Sequence, residues 1–215
     1  MAGSPTQPRR TRANGVASRI AILDAAADIA GDRGYEGTSI NAVSERSGLP
    51  ASSIYWHFKN KDELIAAVID RSYTDWIESL RRLAEQGGDL SPVDAYAAGM
   101  RQSAEQLKQF PDFLRLGLML TLERRPSEPT ARQRFQATRD ATLARLRRYL
   151  HRVFDTLDES EIDALAVLTL AGSDGLFIAS EAEGIDIADG FETLARAVMG
   201  AAISYGWNHG NVHSS

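Results

Sequence analysis

The sequence PASSIYWHFKNK, residues 50–61, places a tyrosine, a tryptophan and a histidine side by side in a predicted short helix. Ile54 and Phe58 are four residues apart, so they share one face of such a helix. Tyr55 and Trp56 point away from that face, to the side that also carries two serines. Large aromatic side chains on an outer helix face indicate either a binding surface or a contact with another helix. This face is therefore the first candidate for a functional site.

Sequence patterns on the N-terminal side of residues 50–61 predict two further helices. The helix before it has an apolar stripe at helical spacing that ends near Gly34, formed by Ile20, Leu23, Ala27 and Ala30. Thr38 can cap a second helix, and Gly48 supplies the break after it. A turn of about four residues that contains Gly48 leads to the third helix, and Pro50 suits the first turn of that helix. Two helices at this spacing form a helix-turn-helix, in which the second helix lies in the DNA major groove.

The outer face of the third helix has the chemistry of a nucleic-acid surface. Hydroxyl and phenol groups bond phosphates or base edges, and aromatic rings pack on sugars and thymine methyl groups. Lys61 adds a positive charge at the start of the next helix, where the helix terminus already attracts anions. The alternative is that Trp56 packs against another helix and the serines are solvated. The complete set of cap, glycine turn, short helix, hydroxyls and lysine favours DNA.

Composition limits the other possibilities. Hydrophobic residues make up 43% and charged residues 25% of 215 residues, as in ordinary globular proteins. The absence of cysteine excludes disulfides and thiolate metal sites and fits a reducing compartment. No run approaches 18 uninterrupted apolar residues, and the first dozen residues lack the apolar stretch of a secretory signal. We therefore expect a cytoplasmic protein with no membrane partner.

Charge is unevenly distributed along the chain. Residues 1–61 hold eight Lys or Arg against five Asp or Glu, a balance of +3, and the total of −5 leaves −8 for residues 62–215. A basic end joined to an acidic remainder suits a protein that brings one end to a polyanion. On charge alone, a solvated flexible start explains the pattern equally well.

The remaining sequence predicts more helices and no sheet. A long helix over residues 61–86 begins at a capping-box pattern of Asn60 and Glu63. Two apolar stretches toward the end follow similar patterns, Asp158 with Glu161 and Asp189 with Glu192. The fold class is all-α with about nine helices: an N-terminal three-helix helix-turn-helix domain and a larger C-terminal helical domain.

Three stretches resemble the DNA-binding signature of the TetR family of bacterial transcriptional regulators: TSINAV at 38–43, Gly48, and IYWHFKNKDEL at 54–64. The resemblance implies a homodimer that binds a palindromic operator as a repressor and is released by a small apolar effector, with no catalytic activity and no cofactor. The domains expected are a disordered basic arm at 1–16, a DNA-binding domain at 17–62, an effector-binding and dimerisation domain at 63–206, and a flexible tail at 207–215.

Site residues follow by position from the resemblance. The expected DNA contacts are Thr38, Asn41, Ser52, Ser53, Tyr55, Trp56, His57 and Lys61. The chain departs from the family pattern at Leu49-Pro50, where the family often has Val-Ser, and at Ala51, where longer polar side chains often contact a base. Fewer side chains here make bidentate base contacts, so recognition leans on Asn41, methyl contacts and DNA shape. The Arg9-Arg10-x-Arg12 arm either enters an adjacent minor groove or is a plain disordered tail.

The acidic part has two expected sites. The candidates for an apolar effector pocket are Trp76, Tyr96, Met100, Phe113, Leu116, Leu120, Phe135, Asp174 and Phe177. The candidates for a dimer interface on the last two long helices are Leu165, Leu168, Ala171, Val198, Ala202 and Ile203. The alternative for both sets is an ordinary intrachain core, and for Asp174 it is a capped or solvated carboxylate. Two glycines in Gly172-Ser173-Asp174-Gly175 indicate a close helix approach or a cavity.

Two rival functions remain. An enzyme is disfavoured because the sequence has no phosphate-binding glycine loop and no nucleophile elbow. No metal site is expected either: among the four histidines only His209 and His213 are four residues apart, and no third ligand lies near them. A helical module that binds another protein is the second rival, and salt-insensitive binding to a protein without DNA binding would favour it.

Overall fold

The computed structural model describes residues 9–86, 90–122 and 130–208, and within these residues it contains nine α-helices and no strand. The predicted all-α fold class is confirmed for this part of the chain. In order, the helices are α1 (Arg9–Gly37), α2 (Ile40–Ser47), α3 (Ala51–His57), α4 (Lys61–Gln86), α5 (Pro92–Gln109), α6 (Asp112–Leu122), α7 (Thr130–Val153), α8 (Glu159–Glu183) and α9 (Ile187–Ser204).

The described residues divide into two compact units. The first unit contains the chain up to Tyr73 together with Asp112–Gln136, and the second contains Thr74–Pro111 and the chain from Ala137 onward. Helices α4 and α7 each contribute residues to both units. This division concerns packing, and the functional domain limits at 17–62 and 63–206 remain predictions.

Helix α1 begins earlier than predicted, and its regular part ends near Gly34 as predicted. It begins at Arg9, so residues 9–16, expected in a disordered arm, are helical; the arm before Arg9 lies outside the described residues. Ile20, expected on the buried stripe, is 51% exposed because it lies about 200° around the helix from the fully buried Ile22. The regular helix ends at Gly34, whose φ of 68° and ψ of −176° are not helical.

The cap of α2 is one residue later than predicted. Ser39 is the N-cap, and its hydroxyl accepts a bond of 3.1 Å from the backbone N–H of Ala42. Thr38, the predicted cap, instead closes the preceding segment: its hydroxyl donates to the carbonyl of Gly34 at 2.8 Å. The helix ends at Gly48 as predicted, with φ 69° and ψ 11°. Pro50 is the residue before α3 rather than part of its first turn.

Replacing Ser39 by alanine is expected to reduce the free energy of unfolding by about 1 kcal/mol, because a donor at the start of α2 loses its partner. Ser39→Asp is the matched control, since a carboxylate also caps, and it should keep most of the stability. Urea denaturation of the three proteins measures the difference. Equal stability of the alanine variant and the original protein would contradict this capping role.

Helices α8 and α9 of the second unit approach each other closely at two glycines. A Cβ on Gly172 of α8 would lie 2.6 Å from Leu194 of α9, and one on Gly190 of α9 would lie 2.8 Å from Leu176 of α8. Of the two alternatives for the glycine-rich segment of α8, a close helix approach or a cavity, the close approach is found at Gly172, while a Cβ on Gly175 would meet nothing within 4 Å. Each glycine makes room for a leucine of the opposite helix, which allows tight packing.

The structure contains one of the two capping boxes that were predicted for α8 and α9. Asp158 and Glu161 form the predicted capping box at α8, in which Asp158 accepts from the backbone N–H groups of Ser160 and Glu161. These bonds lower the pKa of Asp158, with the Glu161 N–H as the largest cause. The prediction for α9 was wrong, because the N-cap is Asp186, three residues before Asp189.

The end of the described chain is packed. Trp207, expected in a flexible tail, is only 6% exposed, and its ring lies 5.0 Å from that of Phe154 in an edge-on contact. Burial of the large indole fixes the segment after α9, so the prediction of a flexible tail from residue 207 was wrong at this position. Residues 209–215 of the predicted tail lie outside the described residues.

Among the described residues, one helix is long and apolar enough to cross a membrane by length and composition. This is α8, with a mean hydropathy of 1.6 over 18 residues, of which 28% are buried. Core helices of soluble proteins meet the same criterion. Its low burial shows instead that much of its apolar surface is uncovered in the single chain.

Candidate nucleic-acid interface

Helices α2 and α3 and the turn between them are fixed by a small core. Val43 and Ile54 are fully buried and Phe58 is 3% exposed, so one face of each helix is anchored in the first unit. Side chains satisfy the polar groups of the turn: the Ser44 hydroxyl donates to the carbonyl of Leu49 at 2.7 Å. The turn therefore holds α3 in a defined orientation, with its other face outward.

The outward face of α3 carries large aromatic groups. Tyr55 is 56% exposed and Trp56 is 76% exposed. Ser52 is exposed beside them, while Ser53 and His57 are partly exposed. The structure thus brings together five of the eight predicted DNA contacts on one surface. We call these five residues the recognition surface: Ser52, Ser53, Tyr55, Trp56 and His57.

Helix α1 lies beside this surface. A Cβ on Gly15 would lie 3.7 Å from the indole ring of Trp56. The hydroxyl of Ser18 lies 2.9 Å from Nε2 of His57 and donates to the carbonyl of Gly15 at 3.0 Å. The imidazole and the indole rings meet edge to face, with centroids 4.5 Å apart. The bond with Ser18 therefore connects α1 to the imidazole of His57 at the end of α3.

Lys61, the expected phosphate contact, is held by its own chain. Its ammonium donates to the carbonyl of Tyr35 at 3.1 Å, lies 4.2 Å from the centroid of the Tyr35 ring and pairs with Glu36 at 3.6 Å. The lysine side chain is 26% exposed and that of Glu36 is 72% exposed. A phosphate that binds Lys61 must therefore compete with an exposed, weak ion pair.

The remaining two predicted DNA contacts, Asn41 and Thr38, differ in their exposure to solvent. Asn41 is exposed on α2 and remains available. Thr38 is 1% exposed; its hydroxyl donates to Gly34 and its backbone N–H donates to Tyr35 at 3.2 Å. Since both donors are already used inside the unit, the expectation that Thr38 faces a phosphate was wrong, and we remove it from the candidate contacts.

The predicted pocket residues are divided between the two units. Four belong to the first unit, namely Phe113, Leu116, Leu120 and Phe135, and five belong to the second, namely Trp76, Tyr96, Met100, Asp174 and Phe177. The pocket assignment therefore remains a prediction. The described residues of the second unit form an apolar groove of about 490 Å³ between α8 and α9 and another of about 210 Å³ between α7 and α8, and no predicted pocket residue lines either of them.

Two of the predicted pocket residues in the second unit, Tyr96 and Asp174, have polar partners inside that unit. The Tyr96 hydroxyl lies 3.2 Å from that of Thr169, which itself donates to the carbonyl of Leu165. Burial raises the pKa of Tyr96 to about 12, so this phenol is neutral. Asp174 pairs with Arg139 at 2.7 Å and its side chain is 16% exposed, so it is not the solvated carboxylate of the sequence alternative, and its contact with a ligand stays a prediction.

The predicted interface residues fall into two classes. Leu165, Val198 and Ala202 are buried inside the second unit, as the intrachain-core alternative stated. Leu168, Ala171 and Ile203 are exposed. The exposed residues of α8 continue along one side of the helix: Ala164, Val167, Leu168, Ala171, Gly175 and Ile178. Helical periodicity alone does not separate a face that packs inside a chain from one that remains outside.

Within the residues that the structure describes, no group of three or more histidine, aspartate or glutamate side chains could hold a metal ion. His209 and His213 lie outside the described residues.

Residues 22–68 match the model of a family described as bacterial regulatory proteins, tetR family. The chain is 34% identical over 85 residues to the probable HTH-type transcriptional regulator ArpR of Pseudomonas putida, which covers 40% of this chain and 40% of ArpR. The chain thus matches less than half the length of this relative. Residues 22–68, which match the family model, contain α2, α3 and the recognition surface.

Solved structures resemble more of the chain. SmeT, the repressor of the Stenotrophomonas maltophilia multidrug efflux pump SmeDEF, has a TM-score of 0.66 at 24% identity, over 85% of this chain and 89% of that chain. The regulator FadR from Bacillus subtilis in complex with stearoyl-CoA has a TM-score of 0.68 at 16% identity, over 85% of this chain and 98% of that chain. At these identities, the similarity establishes the fold alone.

Proposed function

We propose that this protein, a member of the TetR family of bacterial regulatory proteins, is a transcriptional repressor that binds a palindromic operator as a homodimer and is released by a small apolar effector. The observation that carries the proposal is the outward face of α3. Its tyrosine and tryptophan are both more than half exposed while Ile54 behind them is fully buried. Exposed rings and hydroxyls on the second helix of a helix-turn-helix fit base edges, thymine methyl groups and phosphates.

Selection of binding sites from a random DNA pool tests this function with the purified full-length protein. A dimer with two recognition helices should select a two-fold symmetric consensus whose half-sites are about one helical turn apart. Recovery of no consensus, together with salt-insensitive binding to a protein, would favour an interaction module. A consensus without two-fold symmetry would contradict the homodimer.

The exposed apolar side of α8 supports the proposed dimer. Val167 is 52% exposed, Leu168 is 42% exposed and Ile178 is 48% exposed, and small residues between them allow close approach of another helix. An apolar stripe of this length on a soluble protein is normally covered. A symmetric contact between two copies covers it on both chains at once.

Introducing a charge at Leu168 is expected to disrupt the dimer. Leu168→Arg places a guanidinium where the apolar faces of two copies meet, so sedimentation at micromolar concentration should show monomers. Met119→Arg is the matched control, because Met119 is similarly exposed at 43% and lies on α6 of the first unit. A variant at Leu168 that sediments like the control would refute this interface.

The proposed response to effector is a shift between two dimer states. In one state the two recognition helices have the spacing that the operator requires, and in the other they do not. An effector that binds more tightly to the second state releases the operator, and the size of this effect is set by the difference between its affinities for the two states. Helices α4 and α7 each contribute residues to both units, and α4 begins four residues after the recognition helix, so we propose α4 as the connection. A relative in fold binds stearoyl-CoA, so acyl-CoA compounds are a reasonable first set of probes. The mechanism fails if no compound that binds the protein changes its affinity for DNA.

A repressor of this kind acts where the chromosome is, so we place the protein in the cytoplasm. The role requires no catalytic group and no cofactor. DNA, a small molecule and a second copy of the chain are the proposed partners.

A further inference from the structure

Two hydrogen bonds behind the recognition surface have a defined direction. Ser18 Oγ lies 3.0 Å from the carbonyl oxygen of Gly15 and 2.9 Å from Nε2 of His57. A serine hydroxyl has one proton and a carbonyl oxygen only accepts, so the hydroxyl donates to Gly15. Both bonds form together only when Nε2 of His57 carries a proton and donates it to Ser18. This arrangement selects one tautomer of the imidazole.

The selected tautomer leaves the other ring nitrogen available. With the proton on Nε2, Nδ1 of the neutral ring has a lone pair. In the described part of the chain, no side chain or backbone group forms a hydrogen bond with Nδ1, and the ring is partly exposed next to Trp56. Adding a proton to Nδ1 keeps the bond from Nε2 to Ser18. The ring can therefore change its charge without leaving its position.

The surroundings disfavour the charged form of the ring in the free protein. Burial is the larger cause and the positive charge of Arg19 on α1 the smaller, and together they lower the pKa of His57 from its ordinary value of 6.5. Arg19 is held near α3, with its guanidinium 5.3 Å from the centroid of the Phe58 ring. The positive charge of Arg19 therefore disfavours a second proton on the imidazole in the free protein.

We infer that Ser18 is a positioning residue for DNA recognition, which holds His57 with Nδ1 free to take up a proton from solvent when the recognition surface binds DNA. This inference rests on the proposed function. The phosphates of DNA bring negative charge to the ring and favour the imidazolium form. The bound proton comes from water, and the bonds from His57 to Ser18 and from Ser18 to Gly15 persist in both states.

The sign of the pH dependence follows from linkage. His57 has a lower pKa in the free protein than in the complex, so DNA binding takes up protons between these two values. Operator affinity should rise as the pH falls through the pKa of the complex and level off below the pKa of the free protein. For a dimer with two such histidines, we expect roughly tenfold tighter binding at pH 5.5 than at pH 7.5 at constant ionic strength.

Affinity for the selected operator, measured at pH 5.5–8 in four proteins, tests the inference. His57→Gln keeps an N–H that can donate to Ser18 but does not titrate, so its pH dependence should be flatter than that of the original protein. Ser18→Ala removes the acceptor that stabilises the imidazolium, and its pH midpoint should shift downward. Ser18→Thr keeps a hydroxyl and should restore the original profile. Circular dichroism establishes that each variant is folded.

The tautomer of the free protein gives a readout that does not depend on DNA. Long-range ¹H–¹⁵N NMR spectra at pH 7.5 should show Nε2 protonated and Nδ1 unprotonated in His57. The opposite tautomer would overturn the inference. Specific DNA binding with the same pH dependence in His57→Gln and the original protein would also overturn it, as would a pH-independent loss of affinity in Ser18→Ala. Absence of specific DNA binding at every pH would instead refute the proposed function.

Discussion

Replacing Tyr55 and Trp56 together by alanine is expected to weaken operator binding by roughly 100-fold or more, because each contact to a base edge or sugar contributes about 1–3 kcal/mol. Both side chains are outside the core, at 56% and 76% exposure, so the variant should fold normally. Fluorescence anisotropy with the selected operator measures the loss of affinity, and thermal unfolding monitors the fold.

Leu122→Ala is the matched control for this double variant. Leu122 is a large apolar residue of the first unit with 76% exposure, equal to that of Trp56, but it lies at the end of α6. We expect its affinity for the operator to stay within about twofold of the original protein, since changes at exposed sites away from a contact are small. Unchanged affinity in the double variant would show that DNA binds elsewhere.

Replacing Gly117 by alanine is expected to destabilise the first unit by at least about 2 kcal/mol. Gly117 is buried on α6, and a Cβ there would lie 2.0–2.3 Å from ring carbons of Phe135 on α7. The ring is 1% exposed, and protein interiors are closely packed, so the helices must separate or the ring must leave its rotamer. Urea denaturation measures the change.

Gly99→Ala is the control for this substitution. Gly99 also lies inside a helix, α5, but a Cβ there would meet nothing within 4 Å. Alanine is the better helix former, so this variant should be more stable by about 0.5–1 kcal/mol. If both variants lost the same stability, helix propensity or unfolded-state effects rather than the contact with Phe135 would explain the result at Gly117.

The outward direction of Tyr55 and Trp56 was predictable because it depends on neighbours within one helix turn. Ile54 and Phe58 are four residues apart and both are buried, and this burial determines where the side chains of Tyr55 and Trp56 point. The turn glycine at position 48 and the capping box at Asp158 were predictable for the same reason. Each is a local interaction in which one residue type fits one backbone geometry.

The sequence predictions failed where two neighbouring residues could both form the same local interaction, or where the contact joins residues far apart in the chain. Thr38 and Ser39 are both good capping residues, and the choice depends on the carbonyl of Gly34, which is available to Thr38. The bond between Ser18 and His57 joins residues 39 positions apart, so no periodicity predicts it. Apolar spacing likewise did not distinguish Leu165, which packs inside the second unit, from Leu168, which stays exposed.

Protection of a single thiol by DNA tests the central claim most directly. The chain has no cysteine, so Ser52→Cys places the one reactive thiol on the recognition surface, with little change in side-chain size. The selected operator should slow its reaction with a maleimide at least about tenfold if DNA covers this surface. A thiol at the exposed Thr156, introduced as Thr156→Cys, should react equally fast with and without operator. Equal rates with and without saturating operator in Ser52→Cys would contradict the placement of DNA on α3.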